Sequence, residues 1–122
     1  MSTVLIVEDN DKNMKLASDV LQAKGYQTLE AVTGEDGVKL AKERKPDLVL
    51  MDIQLPGING IEAFRQIRGD AATRSIPVVA LTASVTPTDR SAISAAGFDA
   101  FISKPINLKE FLDTVKRLAE KK

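Results

Sequence analysis

Five short apolar runs, each followed by a stretch with helical spacing, decide what this chain can fold into. They lie at residues 4–7, 28–32 (more weakly), 48–51, 78–81 and 100–102. The first helical stretch sets Met14, Ala17 and Leu21 on one face and stops at Gly25. The second opens at Thr33-Gly34-Glu35-Asp36, a hydroxyl cap followed by acids, and ends before Pro46. The third begins near Asn59 and lines up Ile61, Phe64 and Ile67. The fourth starts on Thr86-Pro87-Thr88-Asp89 and ends at Gly97. The fifth opens at Asn107, with Glu110 three residues on, and carries Leu108, Phe111, Leu112, Val115 and Leu118. Strands that are apolar throughout, rather than alternating, imply a parallel sheet covered on both faces. Right-handed crossovers make it doubly wound. The expected fold is therefore α/β, one domain over residues 1–122, with a five-stranded parallel sheet in the order 2-1-3-4-5 and a switch point between strands 1 and 3. The stretch 69–75 reads as the most polar and mobile loop, and Lys121-Lys122 as a frayed end.

Composition removes several chemistries. The chain has 122 residues, no cysteine and no histidine. Disulfides, thiolate or imidazole metal sites, serine–histidine catalysis and a phosphohistidine on this chain are excluded. Basic and acidic residues balance at 17 each, and no basic block marks a nucleic-acid binder. No apolar run approaches membrane length and the start does not read as a signal peptide, so a cytoplasmic chain is expected, with neither membrane nor nucleic acid as partner. Gly34 to Lys39 lacks P-loop spacing, and no GxGxxG follows a strand. Asp9-Asn10-Asp11 begins like a calcium loop, but Met14 and Val20 stand where glycine and glutamate are required.

In such folds ligands gather outside the carboxyl ends of the strands. Strand 1 is followed by Glu8-Asp9, strand 3 by Asp52, strand 4 by Thr82 and strand 5 by Ser103-Lys104-Pro105. Each piece has a plain structural alternative: acids favour the next helix N-terminus, Asp52 suits a turn, Thr82 a cap, and Lys104 a solvated surface. Their joint placement at strands 1, 3, 4 and 5 is harder to explain that way. Three crowded carboxylates repel, which raises at least one pKa unless a cation intervenes. With oxygen ligands alone, magnesium or manganese fits and zinc does not. Metal, lysine and hydroxyl together suit a phosphoryl group, and Asp52 is placed to attack phosphorus.

The phrases "VLIVEDN", "PDLVLMDIQLPGINGIE", "IPVVALTA" and "FISKP" resemble the response-regulator receiver family of two-component signalling, from Thr3 to about Ala119. "EDNDKNMKLASDVLQAKGY" and "MDIQLP" look most like a stand-alone receiver of cell-cycle control. The resemblance implies a flavodoxin-like fold and a phosphorelay switch, with no activity beyond phosphorylating and dephosphorylating itself. It implies that Asp52 is the phosphoacceptor. Mg²⁺ would be held by Asp9, Asp52, the Gln54 backbone carbonyl and, through water, Glu8. Thr82 and Lys104 would bind phosphoryl oxygens. Ala83 would leave the phosphate approachable, and Gln54 and Ser84 would tune its lifetime. Phe101 would be the aromatic switch, and the Lys104–Pro105 bond would be cis. Phosphoryl would come from a histidine kinase or histidine phosphotransferase docked over Asn13, Met14, Ala17, Pro105 and Ile106, unless Met14 and Ala17 belong to the core. A downstream regulatory protein would read the result. The enzymatic alternative is a magnesium phosphatase of the haloacid-dehalogenase type, for which Asp9-Asn10-Asp11 supplies the start and Asn13 departs from the pattern.

Overall fold

A computed structural model describes residues 2–55, 57–83, 87–104 and 106–119, apart from the side chains of residues 87–90. The elements are β1 (Thr3–Val7), α1 (Asp11–Ala23), β2 (Gln27–Ala31), α2 (Gly34–Arg44), β3 (Leu48–Asp52), α3 (Gly60–Gly69), β4 (Val78–Thr82), α4 (Pro87–Ala96), β5 (Ala100–Ser103) and α5 (Leu108–Ala119). The strands form one parallel sheet in the order β2-β1-β3-β4-β5, as expected.

Side-chain caps start the helices where the sequence places them. Asn10, Thr33, Asn59 and Asn107 accept the amides of Asn13, Asp36, Glu62 and Glu110 at 2.9–3.1 Å. Each relieves one of the unpaired amides of a first turn. The cap expected at Thr86 lies outside the described residues. Gly25 and Gly97 follow α1 and α4 at φ of 92° and 99°, a backbone that costs glycine nothing. Lys45 does the same work after α2 at φ 45°. It turns the chain into Pro46, and α2 therefore ends where Pro46 requires.

β1, β3 and β4 are buried along nearly their whole length, with side chains packed on both faces. Val4, Ile6, Leu48, Leu50, Val79 and Leu81 meet Leu21 of α1 and Phe111 and Val115 of α5 on one side. Leu5, Val7, Val49, Met51 and Val78 meet Val38 and Ala41 of α2 and Phe64 and Ile67 of α3 on the other. This two-sided burial explains why the runs are apolar without alternation. β2 lies at the edge and is only partly buried, which is why its signal in the sequence is weak. It ends at Ala31, leaving Val32 exposed just beyond it.

Three expectations need adjusting. The buried face of α3 is formed by Ala63, Phe64 and Ile67, with Ile61 at its margin. Leu108 is exposed in the first turn of α5, before the helix reaches the core. The polar stretch after α3 is heavily tied. The buried Thr73 hydroxyl donates to the Ile67 carbonyl at 2.6 Å. The Arg68 guanidinium donates to the carbonyls of Arg74 (2.7 Å) and Ile76 (2.8 Å) and to Asp99 Oδ2 (2.7 Å). Asp99 Oδ2 also accepts the Val78 amide at 2.8 Å. Polar side chains here satisfy backbone groups of the stretch even where, as for Arg68 and Asp99, they also reach solvent.

This corner joins α3, the start of β4 and the approach to β5. Asp99→Ala removes the acceptor of both Arg68 and the Val78 amide. It should lower stability by about 1–3 kcal/mol, read as a shift of the urea midpoint. The Arg68→Ala/Asp99→Ala pair should cost less than the sum of the singles.

Candidate functional site

The parallel register brings the site together. Val7 pairs with Met51, so the next residue on each strand, Glu8 and Asp52, reaches the same level at the carboxyl end of the sheet. Asp52 pairs with Leu81 and Thr82 with Ser103, which carries the same edge across to β5. Glu8 is 1% exposed and Asp52 4%, while Asp9 reaches solvent. One carboxylate oxygen from each of Glu8, Asp9 and Asp52 lies within 4.8 Å of the others.

Lys104 reaches into this cluster from the end of β5. Its Nζ donates to Glu8 Oε1 at 2.6 Å and to Asp52 Oδ2 at 3.0 Å. Its own amide donates to the Thr82 carbonyl at 2.8 Å, so the ends of β4 and β5 are tied beside the cluster. The other oxygen of Asp52, Oδ1, accepts the Gln54 amide at 3.0 Å. Glu8 Oε2 accepts the Asn10 amide at 3.2 Å. Burial, followed by the hydrogen bond with Asp52, pushes the Glu8 pKa up to about 7, although Lys104 and the Asn10 amide pull it down. Burial also opposes the charge of Lys104, but its bonds to Glu8 and Asp52 outweigh this and raise its pKa. One ammonium thus faces two buried carboxylates and a third at the rim.

That donor set suits a hard divalent cation. All its ligand atoms are oxygens, and the strained ionisation of Glu8 is what a second positive charge would relieve. Glu8, Asp9 and Asp52 are the residues that would hold it.

Of the residues singled out in the sequence, the structure gathers Glu8, Asp9, Asp52 and Lys104. Thr82 is buried at the end of β4, one strand over. Gln54 contacts Asp52 through its amide, and its side chain is exposed. Phe101 lies in β5 at 40% exposure, so it is not a fixed core aromatic. Ser84 and Pro105, and with Pro105 the expected cis bond, lie outside the described residues.

Of the docking patch expected on α1, two residues take the core alternative. Met14 and Ala17 are 7% and 2% exposed and belong to the core shared with α5. Helical spacing brings them onto the same side as Leu21, which fixes the buried face. Asn13 is half-buried, and Ile106 packs partly against the same core.

Gly60 is a site residue that the sequence alone does not single out. A Cβ there would lie 2.1 Å from the Asp52 carbonyl oxygen and 2.7 Å from Ile53 Cα. Its amide donates to the Ile53 carbonyl at 3.0 Å. α3 thus begins pressed against the backbone of Asp52, and only glycine permits the contact. The signal was present in the spacing of Gly57 and Gly60 after Asp52, but close approach to one carbonyl is a tertiary fact.

Comparison with known proteins agrees with this geometry. The model of the response regulator receiver domain matches residues 4–116. The chain belongs to that family, the receiver modules of two-component signalling. It is 45% identical over 114 residues to the polar-differentiation response regulator DivK of Brucella anthropi, covering 93% of each chain. Among solved structures it resembles the receiver domain of the sensor histidine kinase PA1611 from Pseudomonas aeruginosa, which has a magnesium ion coordinated in its active-site cleft. That match has 31% identity and a TM-score of 0.91, covering 98% of both chains. It also resembles the chemotaxis protein CheY4 of Vibrio cholerae, at 26% identity and a TM-score of 0.89, covering 97% of this chain and 98% of that one. Among the described residues no helix is long and apolar enough to cross a membrane.

Two consequences can be measured. The raised pKa of Glu8 means that the folded, metal-free protein binds more protons than the unfolded chain between pH about 4.5 and about 7. Stability should therefore fall as pH rises through that window, by roughly 3 kcal/mol. Urea unfolding of metal-free protein at pH 5 and pH 8 reads this directly; Glu8→Gln should flatten the slope. Separately, Gly60→Ala must push the Asp52 backbone aside. It should cost about 1–3 kcal/mol, with larger changes in the amide shifts of Asp52 and Ile53 than in those of β1.

Proposed function

We propose that Asp52 accepts a phosphoryl group from a phosphohistidine on a histidine kinase or histidine phosphotransferase, and that the phosphorylated chain switches its binding to a downstream regulatory protein. The whole of residues 1–122 would act as one cytoplasmic receiver. The observation that carries the reading is the setting of Asp52. It is the last residue of a fully buried strand, with Lys104 on one oxygen and the Gln54 amide on the other, inside a cluster that needs more positive charge.

In the reaction a carboxylate oxygen of Asp52 attacks the donor phosphorus. The new O–P bond replaces the P–N bond, and the freed electron pair stays on the donor imidazole, which takes up a proton. Asp52 thereby becomes an acyl phosphate. Bound Mg²⁺, with Mn²⁺ as its substitute, would neutralise charge on the phosphoryl oxygens, held by Asp9, Asp52, the Gln54 carbonyl and, through water, Glu8. Lys104 would exchange its bond to Asp52 for one to a phosphoryl oxygen. The Thr82 hydroxyl would donate to another, and Ala83 would leave the group accessible. Gln54 and Ser84 would set its lifetime. The chain would catalyse nothing beyond its own phosphorylation and hydrolysis. The donor would approach over the exposed start of α1 near Asn13 and the segment of Pro105 and Ile106. Drawing Thr82 toward the phosphoryl group would open space for the half-exposed Phe101 ring to turn inward, changing the surface beside α4 and β5. The magnesium-phosphatase alternative has no comparable support: its nucleophile would be Asp9, which is exposed, whereas the buried and positioned carboxylate is Asp52.

The test is intact mass after incubation with acetyl phosphate and Mg²⁺. One phosphoryl group should add to the wild type and none to Asp52→Asn, and EDTA should abolish the gain. An equal gain in Asp52→Asn overturns the assignment. With beryllofluoride as phosphoryl mimic, amide shifts should change across residues 99–103, and Thr82→Ala should suppress them. Coupling of about 1–3 kcal/mol between phosphorylation and partner binding is the expected size.

A further inference from the structure

An open groove of about 430 Å³ runs between the end of α1 and the flank of α5. It is lined by Lys24, Tyr26, Lys109, Leu112, Asp113 and Lys116. Tyr26 and Leu112 are half-buried and pack on the core beneath, so the groove has an apolar floor. Three ammonium groups face one carboxylate at its exposed rim, in a chain with no net charge. Among the described residues no ion pair engages Lys24, Lys109 or Lys116, whereas Lys15, Lys42 and Lys104 each have a carboxylate partner.

The charge calls for an anion, and the layout selects its kind. Compact phosphates are held by converging donors or by a helix N-terminus. Two helix ends border this groove, the C-terminal end of α1 at Lys24 and the first turn of α5 at Lys109, and their dipoles are opposite in sign. The lysines are spread out instead: Lys109 and Lys116 lie seven residues apart on α5, about 10 Å along the axis. Carboxylates two turns apart on a second helix repeat at the same distance, and a large apolar residue between them would rest on Leu112 and Tyr26. Lys24 and Tyr26 sit at the pole of the sheet opposite Asp52, since α1 runs back from the carboxyl end of β1, and Lys116 lies two turns along α5 toward that pole from Lys109, which opens the helix at the Asp52 end. We infer that this groove docks an acidic amphipathic helix of a partner protein and does so whether or not Asp52 is phosphorylated.

The probe is a synthetic helical peptide with leucine every third or fourth residue and glutamates on both flanks, titrated into ¹⁵N-labelled full-length protein. Adenosine triphosphate, inorganic triphosphate and a peptide with lysine in place of glutamate run alongside. Amides of residues 24–26 and 109–116 should shift with the acidic peptide alone, equally in wild type and Asp52→Asn. The Lys24→Glu/Lys116→Glu variant should bind it about tenfold more weakly, and high salt should weaken binding further. Unchanged phosphorylation of that variant by acetyl phosphate would show an intact fold. The inference is overturned if the acidic peptide leaves these amides unmoved, if the double variant binds it as tightly, or if the triphosphates occupy the groove and the peptide does not.

Discussion

The bond of Lys104 to both Glu8 and Asp52 is the contact on which the rest of the site depends. Two carboxylates buried almost completely at one sheet edge repel each other at close range, and burial removes the water that would screen them. A single ammonium offsets part of that cost. It does so only because β5 runs parallel to β4 and ends level with it, with the Lys104 amide bonded to the Thr82 carbonyl. That offset is incomplete: burial, and then the bond to Asp52, still raise the pKa of Glu8 against the pull of Lys104. The oxygens of Glu8, Asp9 and Asp52 lie close enough together to share one cation, and Lys104 already reaches two of the three residues.

The backbone around Asp52 is fixed with similar economy. The strand behind it is buried on both faces, and Gly60 lets α3 begin against its carbonyl. Gly37 does the same for α2, where a Cβ would meet Val7 Cγ2 at 2.7 Å. These glycines allow α2 to pack closely on β1 and α3 to begin against the Asp52 backbone. The carboxylate is placed by packing on either side of the sheet together with the Gln54 amide of the loop that follows, which donates to its Oδ1.

Much of this was legible in one dimension. Two-sided burial makes β1, β3 and β4 apolar throughout, and the caps at Thr33, Asn59 and Asn107 are local chemistry, so both survive in the sequence. The strand order then follows from handedness, and with it the meeting of Glu8, Asp9, Asp52 and Lys104. What was not legible depended on neighbours distant in the chain. Met14 and Ala17 look like a patch beside Asp9 until α5 covers them. The stretch after α3 looks mobile until Arg68 and Asp99 close its corner. Gly60 looks like a helix start until the Asp52 carbonyl is placed 2.1 Å from where a methyl group would be. Phe101 reads as core by composition, yet β5 is an edge strand and leaves its ring half in solvent.

That edge position bears on how a change at Asp52 would travel. β1 and β3 are packed on both faces, and a ring moving there would have to displace close-packed neighbours. Between Asp52 and the open edge of the sheet lie β4 and then β5, which hold Thr82, Lys104 and Phe101. Of these, Thr82 is buried and Phe101 is 40% exposed, so the ring at the open edge is the one with room to move. The groove between α1 and α5 lies on a different surface, beyond the tightly packed core of Leu21, Phe111 and Val115. Layering two helices on one face and three on the other thus places the α1–α5 groove and the Phe101 edge on different surfaces.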